Sequence, residues 1–112
     1  MAYTVNVTAT AERELDRALS YIAEKYASPQ AMLTLLEEFD TAQETLRSYP
    51  SLYSVHKAAS EATGRQIRKI RVKNYGLFYH IDKERHEVQV YSFLHSRQDA
   101  AWHVARDLEM LG

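Results

Sequence analysis

Apolar and polar positions along the chain change period several times, and each change marks an element. Tyr3-Thr4-Val5-Asn6-Val7 alternates, the signature of a short strand with one buried face. Leu15, Leu19, Ile22 and Tyr26 then recur at helical spacing, after Thr8 or Thr10 as cap and Glu12 and Glu14 in the first turn. Ser28-Pro29 starts a second helix, with the hydroxyl as cap and proline at the first helical position. Its stripe is Met32, Leu35, Leu36, Phe39, Ala42 and Leu46, and Tyr49-Pro50 ends it. So short a connection predicts an antiparallel helical hairpin.

From Gln66 to His95 the period shortens to two, predicting three successive strands. Ile70 and Val72 alternate with Lys69, Arg71 and Lys73. Tyr75, Leu77, Tyr79 and Ile81 continue the pattern up to the polar break Asp82–His86. In the last strand Val88, Val90 and Leu94 fall on one side, and Gln89, Tyr91, Phe93 and His95 on the other. Strict alternation therefore predicts a core face and a cationic, aromatic face on which Lys69, Arg71, Lys73, Tyr91 and His95 stand together. Between hairpin and strands, KAASEAT before Gly64 suits one short helical turn, and His56 and Lys57 read as a solvent-exposed pair. Ser96-Arg97-Gln98-Asp99 has capping-box spacing ahead of a final helix striped by Ala101, Val104, Ala105, Leu108 and Leu111. The expectation is an α+β fold of order β-α-α-β-β-β-α. Its mainly antiparallel sheet packs on an N-terminal helical hairpin, with a C-terminal helix.

Composition narrows the possibilities. A chain of 112 residues fits a single domain over residues 1–112. A formal charge of −1 argues against a general polyanion binder, but the charge is uneven. Residues 1–50 hold four basic and eight acidic residues, whereas 51–112 hold ten and seven. Five of those ten cations fall between Arg65 and Lys73. Taken alone, such a run reads most simply as a solvated strand face. The absence of cysteine excludes disulfide and thiolate chemistry and fits a cytoplasmic protein. No apolar run approaches a membrane span, so no membrane partner is expected. The five histidines have no metal-ligand spacing, and neither metal nor other cofactor is expected.

YTVNV before a helix pair, IRKIRVKNYGLFYHID, and VQVYSFLHSRQD near the end together resemble the RelE/ParE superfamily, the toxins of bacterial type II toxin–antitoxin systems. The resemblance covers nearly the whole chain. It implies a growth-inhibiting toxin neutralised by a cognate antitoxin. One branch, like RelE, cuts mRNA on the ribosome; the other, like ParE, poisons DNA gyrase.

Metal-independent RNA cleavage needs a group that activates the 2′-hydroxyl, a cation for the phosphorane and an acid for the leaving oxygen. The ribonuclease branch commonly places an arginine in the middle of the strand that is Tyr75–Tyr79 here, and the matching residue is Gly76. A second arginine, four residues before the terminal His or Tyr, corresponds to Tyr91. Loss of one such donor costs about two to three orders of magnitude in rate. His95 matches an essential histidine of some ribosome-dependent members, and an imidazole can act as acid or base. A similar ending occurs in the gyrase-directed branch, so His95 does not separate the two. Another role open to it is to end the strand and bond the Ser96–Asp99 turn.

Three functions follow: a gyrase poison, slightly favoured; an mRNA endonuclease using Lys69, Arg71, Lys73 and His95; or a member that only binds antitoxin. His95 is the candidate catalytic residue. Lys69, Arg71, Lys73, Tyr91 and Arg97 are the candidate target- or antitoxin-binding residues.

Overall fold

A computed structural model describes residues 2–111. The elements run β1 (Thr4–Val7), α1 (Ala9–Tyr26), α2 (Pro29–Ser48), α3 (Lys57–Thr63), β2 (Arg68–Val72), β3 (Tyr75–Asp82), β4 (Glu87–His95) and α4 (Ala100–Leu111). The α+β class holds, with the KAASEAT turn forming α3 and Gly64 closing it at φ 71°. The sheet is mixed, in the order β1-β4-β3-β2: β1 lies parallel to β4, and the two other pairings are antiparallel. None of the described helices is long and apolar enough to cross a membrane.

The helix starts follow local chemistry. Thr8 caps α1 by accepting from Ala11 N at 3.2 Å, and Ser28 caps α2 by accepting from Ala31 N at 3.3 Å. The last helix begins later than the Ser96 box suggests, because Asp99 accepts from Trp102 N at 3.2 Å and is the effective cap. Residues 96–98 instead form a turn beyond β4.

Helices cover both faces of the sheet. Leu15, Leu35, Phe39 and Leu46 of the hairpin meet Ile70, Leu77, Tyr79, Val88, Val90 and Phe93. On the opposite face Ala59 and Val104 of α3 and α4 meet Ile67, Phe78, Tyr91 and Leu94. The helices are thus not confined to one side: α3 and α4 form a second, smaller layer. Tyr26, expected in the hairpin's apolar stripe, is 57% exposed at the last residue of α1.

One irregularity changes the expected faces. Phe78 pairs with Ser92 and Tyr79 with Val90, so Tyr91 is an extra residue in β4. A bulge of this kind advances the side-chain alternation by one position. Phe93 therefore joins Val88 and Val90 on the hairpin side, while Leu94 turns to the α3–α4 side. Strict alternation placed these two residues the other way round.

The bulge is held by three side chains. Thr8 Oγ1 donates to Tyr91 O at 3.4 Å. Ser92 Oγ donates to Asp107 Oδ2 of α4 at 2.6 Å, and Phe93 N donates to Glu14 Oε1 of α1 at 2.9 Å. Strand β1 pairs with β4 only as far as Val90, so Glu14 serves the edge amide that no strand reaches.

Candidate functional site

The chemistry-bearing residues gather where β4 ends, and His95 lies between two concavities. On the α3–α4 side a cavity of about 250 Å³ is lined by His56, Lys69, Gly76, Phe78, His95 and Asp99, among others. On the hairpin side a groove of about 820 Å³ runs between α1 and α4, with Lys73, Tyr75, His95 and Arg97 along its floor and rim.

Gly76 explains how the cavity is built. A Cβ at this position would lie 2.7 Å from Lys69 Cε and 3.0 Å from the Phe78 ring. The lysine stem therefore folds across bare backbone, and its ammonium sits 5.8 Å from the Phe78 ring centroid. An arginine at 76 would compete for the space that Lys69 occupies. The two imidazoles are set alike: His56 Nδ1 accepts from Ala59 N and His95 Nδ1 from Arg97 N, both at 3.1 Å. Each acceptor bond selects the tautomer with its proton on Nε2. Desolvation, then the neighbouring Lys69 charge, pushes His56 below the ordinary imidazole value and favours its neutral form. His56 is thus a half-buried helix cap, not the exposed residue expected from sequence.

The candidate residues do not share one face. Lys69 and Arg71 lie opposite Phe78 and Gly76, on the α3–α4 side. Lys73 leaves the strand in a left-handed turn, φ 57°, and reaches Glu38 of α2 at 3.8 Å on the other side. Arg71 is exposed, and its Nε donates to Lys73 O at 3.1 Å, outside both concavities. Tyr91 is only 1% exposed, with its ring beneath the Arg65 guanidinium. Its hydroxyl accepts from Arg65 Nη1 at 2.6 Å and donates to Gln89 Oε1 at 2.9 Å. The expectation of an aromatic surface at Tyr91 is corrected: the ring lies on the side that alternation gives it, opposite Val88 and Val90, but α3 and α4 cover that side and bury it in the second core. Burial pushes its hydroxyl above the usual phenol value, against the pull of Arg65. Lys69 and His95 do converge, at the cavity. Lys73, His95 and Arg97 converge at the groove. His95 also packs edge-on against Tyr75, with centroids 5.2 Å apart.

Sequence reasoning missed Glu14, Asp107, Arg13, Arg17 and Arg106. The two carboxyls hydrogen-bond each other where α1, the bulge and α4 meet, and Glu14 is pushed up to about 8. Burial is the main cause, followed by the bond to Asp107; Phe93 N and Arg17 pull the other way. No local signal joins Glu14 to Asp107. The arginines did carry a signal, since Arg13, Arg17, Tyr21 and Lys25 all lie four residues apart or a multiple of four on α1.

This fold is similar to that of chains in solved toxin–antitoxin structures. The chain is similar to one in the toxin–antitoxin complex RelBE2 from Mycobacterium tuberculosis. That match has 25% identity over 85% of this chain and 99% of the other, with a TM-score of 0.53. It shares its fold with a chain of the chromosomal ParDE system from P. aeruginosa. There the identity is 13% over 84% of this chain and 96% of the other, with a TM-score of 0.61. No curated protein matches in sequence. The family described as the ParE toxin of type II toxin–antitoxin system, parDE, matches residues 5–100, and the chain belongs to this toxin family.

Proposed function

We propose that this toxin arrests growth by binding and poisoning DNA gyrase, and that a cognate antitoxin neutralises it. The observation that carries the choice of target is what stands where a nuclease of this fold would hold its phosphate. Gly76 lies beneath the stem of Lys69, and Tyr91 is buried under Arg65. One lysine remains in the cavity to meet phosphorane charge, which is a poor basis for fast RNA cleavage. The match to the ParE toxin family supports the same reading.

The antitoxin would bring an acidic segment with apolar anchors along β2. Ser54 to His56 cover the first half of that edge, and past Lys69 no strand lies beside it among the described residues. Such an edge suits strand addition, with Arg71 and Lys73 supplying counter-charge.

The test is controlled induction, with gyrase supercoiling assays and primer extension on a reporter transcript run in parallel. Lost supercoiling with intact transcripts is the expected outcome. Prompt cleavage of ribosome-bound mRNA with gyrase unaffected would discard the proposal. A second reading, the mRNA endonuclease, is favoured by the meeting of His56, Lys69 and His95 in one cavity. Under it, His95→Gln abolishes toxicity and leaves antitoxin binding intact; under the gyrase reading the same variant remains toxic.

A further inference from the structure

We infer that the groove between α1 and α4 binds single-stranded nucleic acid. This does not depend on whether the toxin's target is gyrase or the ribosome. The lining includes Arg13, Arg17, Lys25, Lys73, Arg97 and Arg106, six of the chain's fourteen lysines and arginines. Its acidic members are Glu14 and Asp107. Burial, then the hydrogen bond to Asp107, pushes Glu14 up to about 8, so Glu14 cancels little of the positive charge near neutral pH. A chain near neutral overall therefore carries a strongly cationic groove; Glu38 of α2 reaches Lys73 at 3.8 Å, while Glu37, Asp40 and Glu44 do not line it.

Arg13, Arg17 and Lys25 form one row along α1. Residues four apart on a helix are separated by about 6 Å along its axis, so the row extends for about 18 Å. Such a line of cations suits a polymer with one negative charge per unit. Guanidinium groups, which supply four of the six cations, grip phosphate oxygens in pairs.

The aromatic residues distinguish a nucleic-acid strand from an acidic peptide. Tyr21 is 50% exposed and lies within the row, with the Lys25 ammonium 5.5 Å from its ring centroid and equally far from that of Tyr26. Tyr26, which also lines the groove, is 57% exposed. Exposed rings interleaved with cations are stacking platforms for unpaired bases. An acidic peptide makes little use of ring faces, and the bases of a duplex are already stacked.

The test is fluorescence anisotropy of a labelled oligothymidylate of about 15 nucleotides, long enough for such a site, titrated with the full-length toxin across a range of salt. Binding that weakens steadily with salt is expected. Arg13→Ala with Arg17→Ala should lower the log–log salt slope by about 1.4, the value for two phosphate contacts on a single strand, and weaken binding at least tenfold. Arg13→Lys with Arg17→Lys should retain the slope. Tyr21→Ala should weaken binding by about tenfold with the slope unchanged, and Lys83→Ala, exposed and outside the groove, should behave as wild type.

No binding would overturn the inference, as would binding indifferent to Arg13 and Arg17 or a slope lost in the lysine variant. So would equal affinity for a duplex, or preference for poly-glutamate over the oligonucleotide.

Discussion

The two faces of the sheet are built from the same strands and differ in how completely they are filled. On the hairpin side, two long helices lay a continuous apolar layer over β3 and β4, and Leu35, Leu46, Leu77, Val88 and Val90 are almost wholly buried. On the other side a seven-residue helix and α4 cover only part of the surface. Ala59, Ile67, Phe78 and Leu94 form a small core beside a cavity lined by His56, Lys69 and His95. Stability is concentrated on the first face, while the second trades packing for polar groups near a surface. The bulge at Tyr91 joins the two, because it moves Phe93 to one side and Leu94 to the other.

Core truncation gives the largest expected effect. Leu46→Ala empties a site that is 0% exposed and should cost about 3 to 4 kcal/mol in urea unfolding. Leu94→Ala lies against the cavity, where water and neighbouring side chains can relax, and should cost about 2 kcal/mol. Equal losses would erase the contrast between the faces.

Next comes the carboxyl pair that ties α1 to α4 through the bulge. Folding raises Glu14 from its ordinary 4.5 to about 8. Between those values the folded chain holds a proton that the unfolded chain has released. Its contribution is therefore complete below about pH 4.5 and is lost as pH rises through about 8. Thermal unfolding should show a Tm that falls across this window. Glu14→Gln keeps an acceptor for Phe93 N and a donor for Asp107, so it should flatten the profile. A slope that persists in that variant would assign the effect to other groups.

A smaller effect is expected at Gly76. An added methyl must displace the Lys69 stem and press on the Phe78 ring, so Gly76→Ala should cost about 1 to 2 kcal/mol in chemical denaturation. An unchanged midpoint would mean that Lys69 gives way freely and that the cavity is not tightly built. The smallest change expected is a gain. Ala27 ends α1 at φ 48°, a left-handed conformation that glycine adopts without strain. Ala27→Gly should stabilise the hairpin by about 0.5 to 1 kcal/mol in the same assay, and any loss would contradict a strained cap.

What depends on nearby residues was already present in the chain. The hairpin is specified by Ser28-Pro29, by the apolar stripes and by the stop at Tyr49-Pro50, and the three later strands by their period of two. The α3 turn is specified by Gly64. The motifs YTVNV, IRKIRVKNYGLFYHID and VQVYSFLHSRQD, in that order, already resembled the RelE/ParE superfamily. Three-dimensional structure decided which residues stand together. One extra residue in β4 inverts every side chain beyond it, and no local propensity announces that insertion at Tyr91. The left-handed turn at Lys73 separates it from Lys69 and Arg71, although all three alternate evenly in sequence. Glu14 and Asp107 meet only because α1 and α4 both reach the same bulge. Periodicity reports which side of an element is apolar; the neighbour on that side is set by long-range packing, which is where this toxin's candidate sites arise.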